Sequence, residues 1–151
     1  EDVMLFESSL AAPPATPRAL WPRYLLASLA LVAALTLAGR LVGAGLARVL
    51  ARTWLVTAGL AGLVLLFFWF GTDHAVARLN LNLLVLNPLW LWPALSRGGT
   101  FRALPLVAGF SALALVLAFL PPQQYTLDVL AALLPLNLAA ALVLRAPRRV
   151  E

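Results

Sequence analysis

WLVTAGLAGLVLLFFWFG, the stretch from Trp54 to Gly71, is eighteen residues long and carries no charge. Coiled as an α-helix it rises about 27 Å, close to the ~30 Å of a bilayer's hydrocarbon layer. It closes on the aromatic cluster Phe67-Phe68-Trp69-Phe70 and stops at Gly71. Such a segment needs lipid as its solvent, so the rest of the chain is read for further crossings.

Upstream, an apolar run from Tyr24 to about Leu46 follows Trp21-Pro22-Arg23, where aromatic rings suit the headgroup level. Arg40 falls inside this run, and an arginine near a helix end snorkels to the interface; Arg48 and Arg52 lie beyond it, four residues apart. Downstream, residues 79–95 are apolar but include Asn80, Asn82, Asn87 and Pro88, which makes them either a kinked span or a re-entrant segment. Residues 103–120 are uncharged and end at Pro121-Pro122, and residues 126–144 form a last run closed by Arg145, Arg148 and Arg149. The expected fold is therefore all-α, a polytopic bundle of about five transmembrane helices at 24–46, 54–71, 79–95, 103–120 and 126–144. Residues 1–20, with the proline-rich linker Ala11–Pro17, are read as an extramembrane remnant of a longer protein, and 21–151 as the membrane domain.

Composition agrees. The 151-residue chain is 63% hydrophobic and 11% charged, with a mean hydropathy of +0.95, far from the balance of a water-soluble domain. Its net charge of +5 comes from arginines at the ends of apolar runs, which read as topology signals and not as a nucleic-acid surface. With the N-terminus outside and the third run taken as a kinked span, Arg18, Arg23 and Arg78 lie outside. Arg40, Arg48, Arg52, Arg97, Arg102, Arg145, Arg148 and Arg149 lie inside, which is the cytoplasmic excess expected of a bacterial inner-membrane protein.

Chemistry is scarce. There is no cysteine and one histidine, so thiol chemistry, zinc ribbons and iron–sulfur clusters are excluded, and neither metal nor cofactor is expected. A serine–histidine triad cannot close, because Ser96 falls on the cytoplasmic side and Ser28 and Ser111 within spans while His74 lies outside. The one dense polar cluster is Asp73-His74 followed by Asn80 and Asn82, with Asn87 deeper, all assigned to the outer half. One reading makes His74 a base or hydrogen-bond donor oriented by Asp73, with the asparagines holding a polar headgroup. The other makes them helix caps and interfacial groups. Asn87 and Asn137, each near a proline, read as structural glue that either bonds the carbonyls the proline frees or reaches across helices. Small residues suggest close packing of the first two helices: Ala30, Ala34 and Ala38, the pair Gly39 and Gly43, and Gly59 with Gly62.

Phe70-Gly-Thr-Asp-His74, Asn80-Leu-Asn-Leu-Leu84, Leu86-Asn-Pro-Leu89 and Leu120-Pro-Pro-Gln123 together resemble the C-terminal membrane region of the Lnb-type lipoprotein N-acyltransferase family, over about residues 55–145. The resemblance implies an acyltransferase in which a large extracytoplasmic domain precedes the membrane helices. Residues Val3 to Leu10 would be its last segment. Asp73, His74, Asn80, Asn82, Asn87 and Pro88 carry over as motif positions. It further implies that the chain anchors or completes an outer-face lipid or lipoprotein site and is not catalytic alone. Its partners would be membrane lipids and a lipoprotein substrate. The alternative is a non-catalytic accessory subunit packed in a larger membrane complex.

Overall fold

A computed structural model describes residues 19–71, 80–96, 104–119 and 126–145. Four long or medium helices and one broken segment make up the described chain: α1 (Trp21–Leu41), α2 (Ala44–Gly71), a broken segment ending in α3 (Leu91–Leu95), α4 (Leu104–Leu117) and α5 (Thr126–Arg145). Among the described residues there is no strand. Large apolar side chains lie exposed on the long helices, from Leu26 and Leu37 on α1 to Phe70 on α2, Val116 on α4 and Leu142 on α5. A surface of this kind is stable only in lipid. Helices α1, α2 and residues Leu127–Arg145 of α5 are each long and apolar enough to cross a membrane.

Helix α1 starts at Trp21 because Pro22 occupies its first turn, where no intrahelical N–H is needed. It ends because Gly43 takes φ +127°, a conformation that favours glycine, while the amides of Val42 and Gly43 both bond the carbonyl of Ala38. The chain then reverses at once into α2. This corrects the expected boundaries: the turn lies at Val42-Gly43 and not near residues 47–53, so Arg48 and Arg52 sit inside α2. At 28 residues α2 is about 42 Å long, so it outreaches the hydrocarbon layer and must tilt or project. Arginines in its first turns are thereby carried towards the headgroups.

The direction of each element follows from which ends meet. Trp21 and Leu25, at the start of α1, share a crevice with Leu127 to Pro135 at the start of α5. Leu35 to Gly39, near the end of α1, share another with Val143 near the end of α5 and with Ala44 to Arg48 at the start of α2. Helices α1 and α5 are therefore parallel, and α2 is antiparallel to both. In one core cluster Val85, from the broken segment, packs with Ala114 late in α4, Ala118 just past its end and Leu130 early in α5. In the other, Ala94 joins Val107, early in α4, and Ala140 and Ala141, late in α5.

All five elements thus alternate in direction. Had the third turned back on its own side, α5 would run antiparallel to α1; the segment runs instead from one end of the bundle towards the other. As an unbroken α-helix, Leu81–Leu95 would rise only about 22 Å. Its 3₁₀ turns, at about 2 Å per residue, and the extended Asn87 between them lengthen the same chain by about 5 Å.

Small residues decide what packs where, though not as the alanine spacing suggested. The face of α1 turned toward its neighbours runs Ser28, Val32, Leu35 and Gly39, whereas Ala30 and Ala34 are exposed and Ala38 is half-buried. Gly43 makes the turn and has open space around it. Gly39 does lie at a close approach of α1 and α2, since a Cβ there would stand 3.2 Å from Cβ of Ala47. Gly59 and Gly62 serve a different neighbour from the one expected: they receive the broken segment and not α1. A Cβ on Gly59 would meet Cγ of Leu91 at 2.6 Å. One on Gly62 would run into the Leu86 carbonyl and stand 2.8 Å from the nitrogen of Pro88.

Candidate functional site

The break in the third segment follows from Asn87-Pro88. Pro88 has no N–H to give and occupies the first position of the 3₁₀ turn Pro88–Trp90. Oδ1 of Asn87 accepts the N–H of Leu89 at 2.9 Å, a bond that a continuous helix would have sent to the carbonyl of Val85. That carbonyl, fully buried, would then be orphaned at a cost of about 1–3 kcal/mol. Two side chains satisfy it: the indole N–H of Trp90 at 2.9 Å and Nδ2 of Asn137 on α5 at 3.4 Å. Asn137 in turn accepts the indole N–H of Trp54, on α2, at 2.7 Å.

The result is a polar knot that ties α2, the broken segment and α5 at one point of an apolar core. From their place beside prolines Asn87 and Asn137 read as glue. Asn137 does reach across helices, while Asn87 caps its own turn as an acceptor and does not donate to freed carbonyls. The two tryptophans were missed. Their signal is that an indole within a span carries a donor that lipid cannot satisfy.

Nearer the end of the bundle shared by the start of α1, the end of α2 and the start of α5 lie Asn80 and Asn82. Oδ1 of Asn80 accepts the amide of Asn82 at 3.0 Å and caps the turn Leu81–Leu84. The backbone carbonyl of Asn82 accepts the amides of Val85 and Leu86. Its side-chain Oδ1 is buried and has no hydrogen-bond partner, a costly state for a strong acceptor. The hydroxyls of Ser28 and Ser111 are buried without partners too. Asp73 and His74, which stand between Gly71 and Asn80 in sequence, lie outside the described residues. The amides that are described can orient and hold a ligand but cannot themselves transfer a group. Among the described residues no cluster of histidine, cysteine or carboxylates could hold a metal ion.

Charge divides the same bundle. Arg40 ends α1, Arg48 and Arg52 begin α2 and Arg145 ends α5, so four of the five described arginines share one end. Arg23 and Asp128, in the first turns of α1 and α5, occupy the other, where Asn80 lies.

Five alternating helical segments with lipid-facing apolar surfaces, tied by a buried polar knot, define an integral membrane domain. A family model described as the Lnb transmembrane domain matches residues 15–146, and the chain belongs to that family. It is the membrane-embedded part of an Lnb-like protein. No curated protein and no solved structure matches it.

Proposed function

We propose that this domain stands in a bacterial cytoplasmic membrane with the start of α1 outside, and that it anchors and completes an outer-face site for a lipid or lipoprotein in an N-acyltransferase of the Lnb type. The observation that carries the reading is the buried, unpartnered Oδ1 of Asn82, at the end where α2 closes and α1 begins. An acceptor of this kind is matched by an N–H or O–H donor, such as a lipoprotein's terminal amine or backbone amide or an ethanolamine headgroup. Asp73 and His74, adjoining in sequence, supply the titratable groups that the described amides lack. The orientation is supported by the four arginines at the opposite end, since basic residues accumulate on the cytoplasmic side.

The test uses the full-length protein in cells lacking other lipoprotein acyltransferases, with N-terminal lipopeptides weighed by mass spectrometry. Asn82→Ala and His74→Ala are expected to abolish the acylated product at normal protein levels, while Ser28→Ala and Arg78→Ala leave it unchanged. Wild-type product from both Asn82→Ala and His74→Ala would overturn the proposal. Stoichiometric co-purification with a larger membrane assembly would then favour an accessory subunit.

A further inference from the structure

The arginine-rich end holds two cavities that meet at one residue. A crevice of about 210 Å³ between α1, α2 and α5 is lined by Leu35, Thr36, Gly39, Ala47 and Val143, with Arg48 at its edge. A second, of about 430 Å³ and more polar, is lined by Gly45, Arg48, Val49, Arg52 and Thr53 along one face of α2. Arg48 and Arg52 stand one helical turn apart, and both line the same pocket together with Thr53. Gly45 helps keep it open, since a Cβ there would meet nothing within 4 Å.

We propose that this end seats one anionic phospholipid, its phosphate held by Arg48, Arg52 and Thr53 and one acyl chain laid in the crevice between α1, α2 and α5. The paired shape argues for a lipid over a free phosphate: an apolar cleft opens from the residue that borders the basic pocket. Two planar guanidinium groups suit phosphate oxygens better than a single charge would. The length of α2 supports the placement, because its first turns overshoot the hydrocarbon layer and stand among headgroups. This site is remote from Asn82 and is independent of the function proposed above.

The full domain, purified in detergent with equal amounts of palmitoyl-oleoyl phosphatidylglycerol and the matching phosphatidylethanolamine, would be examined by native mass spectrometry. The wild type should retain the anionic lipid preferentially, and the preference should fall by about fivefold for each arginine removed in Arg48→Gln and Arg52→Gln. Arg40→Gln, a charge at the same end that borders neither cavity, should keep it. Gly45→Leu, at a position where a Cβ meets nothing within 4 Å, projects an apolar side chain into the polar pocket and should lose the retained lipid while its thermal unfolding stays that of the wild type. Unchanged preference in the double arginine variant would overturn the proposal, as would equal displacement of the lipid by inorganic phosphate and by long-chain phosphatidylglycerol.

Discussion

Gly62→Ala adds one methyl group at the place where the chain can least accept it. The new Cβ would overlap the Leu86 carbonyl and stand 2.8 Å from the nitrogen of Pro88 and 2.9 Å from the carbonyl carbon of Asn87. All three are backbone atoms, so no side chain can rotate aside; the break must move by several tenths of an ångström or α2 must draw back. Overpacking of this kind costs about 1–3 kcal/mol. The displaced segment also carries the Val85 carbonyl away from Asn137, a bond already 3.4 Å long, and a cross-helix bond in lipid adds about 0.6 kcal/mol. Against this stands the better helix propensity of alanine, about 1 kcal/mol. The net loss should be about 0.6–2.6 kcal/mol. Gly109→Ala is the control, because its Cβ meets nothing within 4 Å and only the propensity gain remains. Unfolding in detergent titrated with a denaturing surfactant, followed by helical circular dichroism, should place Gly62→Ala below the wild type and Gly109→Ala at or above it. Equal stability of the two alanine variants would refute the seating of the broken segment on α2.

Two further outcomes follow from the same structure. Trp54→Phe and Asn137→Leu should each destabilise the bundle, and a double-mutant cycle in the same unfolding assay should show coupling of about 0.6–1.7 kcal/mol; additive losses would mean that the bond joining α2 to α5 contributes nothing. Ser28→Ala and Ser111→Ala remove buried hydroxyls that have no partner and should leave stability unchanged or raise it by up to about 1 kcal/mol; a loss above 1 kcal/mol would show that a partner exists.

How much of this could be read from residues alone depends on whether the signal was local. The apolar runs of α2, α4 and α5 announce themselves by length, and Asn87-Pro88 marks the break, because proline's missing donor is a property of the residue itself. The end of α1 is harder: Arg48 and Arg52 look like a loop in a hydropathy reading, yet the turn is set by a single glycine, Gly43 at φ +127°, five residues before Arg48. The partner of Gly59 and Gly62 could not be inferred, since small residues say that something approaches closely but not what does. Nor does the arginine count settle whether the third segment crosses. If it turned back, Arg40, Arg48 and Arg52 would face the other eight, again eight to three, and only the parallel course of α1 and α5 separates the cases. At the site, Asn80 and Asn82 were visible as polar residues in apolar sequence, but their difference, one a cap and the other an unpartnered acceptor, needed the geometry of the turn.

That five-segment course is what places Asn82 and the arginines on opposite faces of the membrane, and impermeant thiol labelling of single cysteines tests it directly, since the chain has no native cysteine to interfere. Ala19→Cys and Phe119→Cys should be labelled from outside intact cells, together with Ala75→Cys and Gln123→Cys in the neighbouring sequence. Ser96→Cys and Gly98→Cys, past the end of the broken segment, should react only after the membrane is opened. Labelling of Ser96→Cys from the same side as Ala19→Cys would mean that the third segment does not cross, and the account would fail with it.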